Sequence, residues 1–211
     1  VKTIYVSNLL RKGENDGKNL YVLVSVMMDL AEITGMAIKV EQDETGGYAL
    51  LEDRDKTNEK SGSKIARDYL RDAMNGDKVN LIEPTMAAII AGKGTGTIQR
   101  LGIITMYYDQ IETRISQFED LGLGNLTYGY GMIFLHELTH SNATGNPLKD
   151  PTRANSKAAM EKGRYLEGGT VAFINQIRSQ LHLAQIRTYE DLSYNNARPL
   201  DKHHIWESQS L

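Results

Sequence analysis

Gly131-Met132-Ile133-Phe134-Leu135-His136-Glu137-Leu138-Thr139-His140 is the stretch on which the reading of this chain turns. Met132 to Leu135 and Leu138 give it the apolar density of a mostly buried helix, where two histidines and a glutamate without compensation would be expensive. A metal supplies that compensation. Positions i and i+4 of an α-helix lie one turn apart on one face, so the imidazoles of His136 and His140 can both reach a single zinc ion at ~2.0–2.1 Å. Glu137 lies beside that face, close enough to reach a water on the metal without being a ligand itself. It suits a general base that deprotonates water and later passes the proton to a leaving amine. Zinc lowers the pKa of such a water toward ~7, which gives a nucleophile at neutral pH.

A hydrolytic zinc centre takes three protein ligands and keeps a fourth position open. No histidine occurs between positions 141 and 181, so the third ligand must be a carboxylate. Asp150, Glu161 and Glu167 are the candidates. Glu167, 27 residues beyond His140, opens the apolar-periodic segment Gly169 to Leu183, whose Val171, Phe173, Ile174, Ile177 and Leu181 predict a second long helix. A glutamate at the start of a helix packed on the first is the geometry of glutamate-liganded zinc peptidases. The plainer reading is a carboxylate placed to favour a helix N-terminus. Asp150 sits between Lys149 and Pro151 in an expected loop, and Glu161 lies upstream of Gly163.

Two blocks, Phe134 to His140 and Glu167 to Leu181 followed by Leu183 and Arg187-Thr188-Tyr189, together resemble the effector-type zinc metallopeptidases. That family includes bacterial type III secreted proteases and the C-terminal toxin domains of Rhs polymorphic toxins. The resemblance extends over roughly residues 30 to 195, with only the two blocks specific. It implies a gluzincin-like peptidase in which His136 and His140 bind zinc, Glu137 activates water, and a downstream acidic residue, for which Glu167 is the first candidate, completes the site. Family members offer an Arg/Tyr pair in the region of Arg187 and Tyr189, and a phenol aimed at a developing oxyanion would help the reaction. Tyr189 is the catalytic candidate of the two. The competing reading of both residues is an interhelical or loop anchor. His182 and Ala184 stand where the family often has Gly and Pro.

Outward from these blocks the chain reads as short strands and helices. Thr3 to Ser7, Ala37 to Val40 and Val79 to Ile82 have strand character. Leu20 to Ile33 recurs with helical spacing and stops at Gly35, and Ser63 to Met74 does the same before Asn75-Gly76. Glu41 to Lys60, with Gly46-Gly47 and the charge-alternating run Glu52 to Lys56, reads as a solvated loop. Ala91 to Thr97 has the glycines of a phosphate loop without its spacing, since Ala87 stands where the first glycine belongs and Gly94 follows Lys93. A glycine turn between strands is the better reading. Ile98 to Tyr108 is rich in β-formers. His182 reads as a helix-end residue. His203 and His204 lie in a stretch, 196–211, that reads as a tail.

Hydrophobic residues make up 40% and charged residues 24% of the 211 positions, which fits one globular domain with a single core. Lys+Arg of 24 against Asp+Glu of 27 leaves −3, so the field that gathers polyanions is missing and nucleic acid is not an expected partner. There are no cysteines, so any metal must be held by His and carboxylates. Leu20 to Met28, the densest apolar stretch, is far short of the ~20 residues that cross a bilayer. Val1 at the start suggests a piece excised from a longer chain.

The expected fold is α+β, a zincin-like domain over 1–211. It has a small sheet whose last strand, near Ile103 to Tyr108, borders a cleft, and two core helices that carry the zinc site. The expected function is a zinc-dependent endopeptidase acting on protein or peptide substrates, an effector or toxin domain secreted or delivered into a target cell and restrained by a cognate immunity protein. Two alternatives compete with it: a zinc-stabilised protein-binding domain without turnover, and a nuclease using His203 and His204.

Overall fold

The computed structural model describes residues 4–6, 16–42, 48–75, 80–85, 96–98, 103–140, 148, 168–186 and 205–206. Within them β1 (Ile4–Val6) precedes α1 (Asp16–Thr34), β2 (Ile38–Gln42), β3 (Tyr48–Glu52), a 3-10 turn (Arg54–Lys56), α2 (Lys64–Asn75), β4 (Asn80–Thr85) and β5 (Gly96–Ile98). Then follow β6 (Ile103–Tyr107), α3 (Tyr108–Asp120), α4 (Tyr130–His140), α5 (Gly168–Gln180), β7 (Gln185–Ile186) and β8 (Ile205–Trp206). The class is α+β.

Helix α1 forms because Val22, Leu23, Val26, Leu30 and Ile33 fall on one stripe, all buried. It ends where Gly35, at φ 72°, donates its N–H to the Ala31 carbonyl at 2.8 Å. Arg67 of α2 secures that end: its guanidinium donates to the carbonyl of Thr34, the last residue of α1, at 2.6 Å and to that of Ser61, in the turn before α2, at 2.8 Å, so a buried arginine satisfies a carbonyl the helix leaves open. Ser63 caps α2 by accepting from the Ala66 N–H at 3.1 Å. Its hydroxyl in turn donates to Gln180 at the end of α5.

The larger sheet has six strands in the order β2-β3-β1-β4-β6-β5. β1, β4 and β6 run parallel to one another, whereas β2 with β3, β3 with β1, and β5 with β6 are antiparallel. Two expectations change here. The stretch from Glu41 to Lys60 is not a solvated loop throughout, because Lys39↔Leu51 and Val40↔Leu50 pair in a β2–β3 ladder and Ala49 and Leu50 are buried. Nor is β6 the border of the sheet. It lies between β4 and β5, so the strand at that margin is β5.

Helix α4 is buried on every side, from Tyr130 to Thr139. It lies against α1, α5 and the β5–β6 side of the sheet. Its first turn is held from another helix, since the Asp29 carboxylate on α1 accepts from the Gly131 N–H at 2.9 Å. Burial raises the Asp29 carboxyl above its ordinary range, and the bonds from the backbone of Gly131 and Tyr130 oppose that rise.

Gly131 is needed for closeness. A Cβ there would stand 2.5 Å from Asp29 Cβ and 2.9 Å from the Leu30 nitrogen. Gly131→Ala should therefore destabilise the fold by about 1–3 kcal/mol through overpacking, although alanine is the better helix former by about 1 kcal/mol. Denaturant unfolding of the variant measures this, and a midpoint at or above wild type would contradict the close crossing of α1 and α4.

Candidate metal centre

Helix α4 brings His136 and His140 together as the four-residue spacing requires. Their Nε2 atoms stand 3.3 Å apart, with the rings inclined at 78°. Two donors at ~2.0–2.1 Å from one tetrahedral zinc are separated by about 3.3–3.4 Å, so the observed separation fits a shared metal. Glu137, which follows His136 in the motif, is buried as His136 is, while His140 is half-buried.

The last turn of α4 is closed by a residue that returns to it. Leu148 donates its N–H to the Thr139 carbonyl at 2.8 Å, and the Leu148 carbonyl lies 3.2 Å from His140 Nδ1. A carbonyl only accepts, so this contact places a proton on Nδ1, and in the neutral ring the lone pair is then on Nε2, the nitrogen facing His136.

His136 is held in the form a metal needs by different means. Burial, then the charges of His140 and Arg178, push its imidazole well below the ordinary value. It is therefore neutral at neutral pH, as an imidazole ligand must be.

Around the pair, α5 and α2 fix α4 by polar contacts. Thr139 donates to the His136 carbonyl at 2.7 Å, and its oxygen stands 3.1 Å from Thr170 Oγ1 on α5. Thr170 Oγ1 is also 3.5 Å from His140 Nδ1. Tyr69 on α2 donates to the Leu138 carbonyl at 3.2 Å while its ring packs against Phe173 of α5 at 5.0 Å.

Helix α5 begins at Gly168, whose φ of 71° is a conformation open to glycine, one position after Glu167. Glu167, Asp150, Glu161, Arg187, Tyr189, His203 and His204 all lie outside the described residues. Among the described residues no cluster of three metal-ligating side chains occurs. Among the described residues the two imidazoles of α4 are the groups of this region suited to share a metal. His182 ends α5 as expected, at φ 55°, so a histidine takes the left-handed position that glycine favours. Ile205 and Trp206, inside the stretch read as a tail, pair with Ile186 and Gln185.

Arg178 was not singled out by motif reasoning. It is almost fully buried on α5, donating from Nε to the Thr127 carbonyl at 3.0 Å and from Nη1 to Asn175 Oδ1 at 3.2 Å. Asn175 holds both backbone groups of Ile186, at 2.7 and 3.0 Å. Thus α5 ties the turn before α4 to β7 and sets a cation near His136. The signal was present as Asn175 and Arg178 falling on the same helical stripe as Val171 and Ile174.

No family model, curated protein or solved structure matches the chain. No helix among the described residues is long and apolar enough to cross a membrane.

Proposed function

We propose that the chain is a zinc-dependent endopeptidase domain with a zincin-like arrangement, in which His136 and His140 hold the metal and Glu137 is the general base. The observation that carries this reading is the convergence of two Nε2 atoms to 3.3 Å on a buried helix, with a buried glutamate between them in sequence. Glu167 completes the ligand set, and Tyr189 steadies negative charge on the carbonyl oxygen under attack. A zinc held there supplies a Lewis acid and a water acidic enough to attack at neutral pH. Glu137 takes the proton of the attacking water and returns it to the departing amine. His136 stays neutral throughout, as its burial favours.

A substrate strand would add to the outer side of β5. Among the described strands β5 is paired on one side alone, with β6, and β-addition would orient an extended peptide. By resemblance, the domain belongs with effectors and toxins delivered into a target cell and restrained by an immunity protein that plugs the cleft.

Purified protein supplied with zinc and cleared of excess should retain about one ion per chain and cleave an unfolded protein substrate. A chelator should abolish cleavage, and added zinc should restore it. Absence of bound zinc overturns the proposal outright. Zinc retained with every peptide of a diverse library intact overturns the peptidase reading in favour of a metal-stabilised binding domain.

A further inference from the structure

Helix α1 is apolar on two sides. Val22, Val26, Leu30 and Ile33 face the core and are wholly buried. At 3.6 residues per turn, Tyr21, Val24, Met28 and Ala31 fall on the opposite side. Among the described residues, the large apolar side chains left exposed are Tyr21, Val24 and Met28, at 49, 42 and 67%, and all three belong to this stripe. Ala31 is half-buried. The Tyr21 ring also meets Tyr130 of α4 edge-on, with centroids 6.1 Å apart, so one end of the stripe is steadied by the core beneath it.

Spacing and charge together say what the stripe fits. Its members follow one another by three, four and three positions, the repeat by which one helix packs along another in a coiled-coil seam. Between positions 19 and 28 the helix carries no charged residue. Lys18 and Glu32 occupy the same register position two heptads apart, one toward each end of the stripe and on the same flank of it, with uncharged Ser25 midway. A second α1 turned end for end brings position 18 of each chain beside position 32 of the other, lysine against glutamate twice. It also sets position 24 opposite 28 and position 21 opposite 31, so that the bulky tyrosine meets the small alanine. A copy laid parallel sets like charge against like.

We propose that the exposed face of α1 binds a second copy of this chain, the two helices pairing antiparallel about a two-fold axis near Ser25 through Tyr21, Val24, Met28 and Ala31. Such a contact is isologous and closes on itself. It stands apart from the zinc reading. A seam of about three turns covers less than the ~1,200 Å² of a standard interface, so the dimer is a weak one that forms with rising concentration.

The test is sedimentation of the full chain over a concentration series reaching about 1 mM, the range in which a small interface associates. Wild type should pass from monomer to dimer. M28E should weaken the dimer about 10-fold or more, and since Met28 is largely exposed its fold should survive. K18E and E32K should each weaken it by about 3-fold or more, as two facing ion pairs become like-charge contacts. K18E and E32K combined in one chain should restore it to within about two-fold of wild type. The chain has no cysteines, so direction can be read by oxidative crosslinking. V24C mixed with M28C should give mainly the mixed disulfide. A wild type monomeric throughout the series overturns the proposal and leaves the stripe to a different partner or to another segment of this chain. A dimer indifferent to M28E, a combined variant no stronger than K18E or E32K alone, or V24C linking to itself in preference to M28C overturns it as well.

Discussion

Glu137→Gln is expected to bind zinc as tightly as the wild type and to lose peptide hydrolysis by about 10²–10⁴-fold, the contribution of a positioned general base. The amide has the shape of the carboxylate, so the packing of a residue only 5% exposed survives, but it cannot accept a proton from water. The proposed ligands are untouched, since the nitrogens of His136 and His140 that would hold the metal lie on neighbouring turns. His140→Ala should instead remove metal and activity together. The measurements are kcat/KM on a peptide substrate and zinc content of the same preparation. Equal activity in Glu137→Gln and wild type would end the peptidase proposal; metal lost with activity would mean that Glu137 is a ligand rather than a base.

The second large effect concerns the third ligand. Glu167→Ala should weaken zinc binding on the order of 10²–10³-fold, about one ligand's share of the ~10–16 kcal/mol seen for structural zinc sites. Asp150→Ala and Glu161→Ala should leave the affinity nearly unchanged. The reason lies in the helix that follows Glu167. Helix α5 begins at Gly168 and buries Thr170, Val171 and Ile174, and Thr170 lies within reach of His140. A residue joined to the start of so firmly placed a helix is expected to be more precisely positioned than Asp150, which the sequence reads as part of a loop beside Pro151. Chelator competition on the three variants checks this, and wild-type affinity in Glu167→Ala would move the ligand elsewhere.

The helices were legible where apolar spacing and a terminator coincide. Val22, Val26, Leu30 and Ile33 followed by Gly35 announce α1, and the buried stripe of α5 is equally plain. The β2–β3 ladder was hidden by charge. Glu52, in a run that reads as solvated, is held by Arg71 of α2 through Nε at 2.8 Å and Nη2 at 2.5 Å. That bond keeps its carboxyl below the usual range. Local sequence does not disclose an arginine arriving from another helix. Helix α3 went unread because Tyr107 and Tyr108 continue the β-rich composition of Ile103 to Met106, though Ile111, Ile115 and Phe118 carry its period and two of the three are buried. At the site, the spacing of His136, Glu137 and His140 was enough to place the two imidazoles. The oxygens around His140 Nδ1 were not legible, because Leu148 and Thr170 come near it by chain return and helix docking, which no local pattern encodes.

The bond from Gly131 to Asp29 spans 102 positions, and this has a kinetic consequence. Helix α1 leaves the ribosome long before α4 exists. It must wait, its groove at Asp29 and Leu30 unfilled, until the helix with the two histidines has been made. Closing a loop of that length carries a slow-growing but unavoidable entropy cost, and folds built on such distant contacts assemble late. The pairing that seats α4 therefore cannot form until residue 131 has been made. A nascent chain halted before that point has neither the imidazoles of α4 nor the contact that seats the helix carrying them.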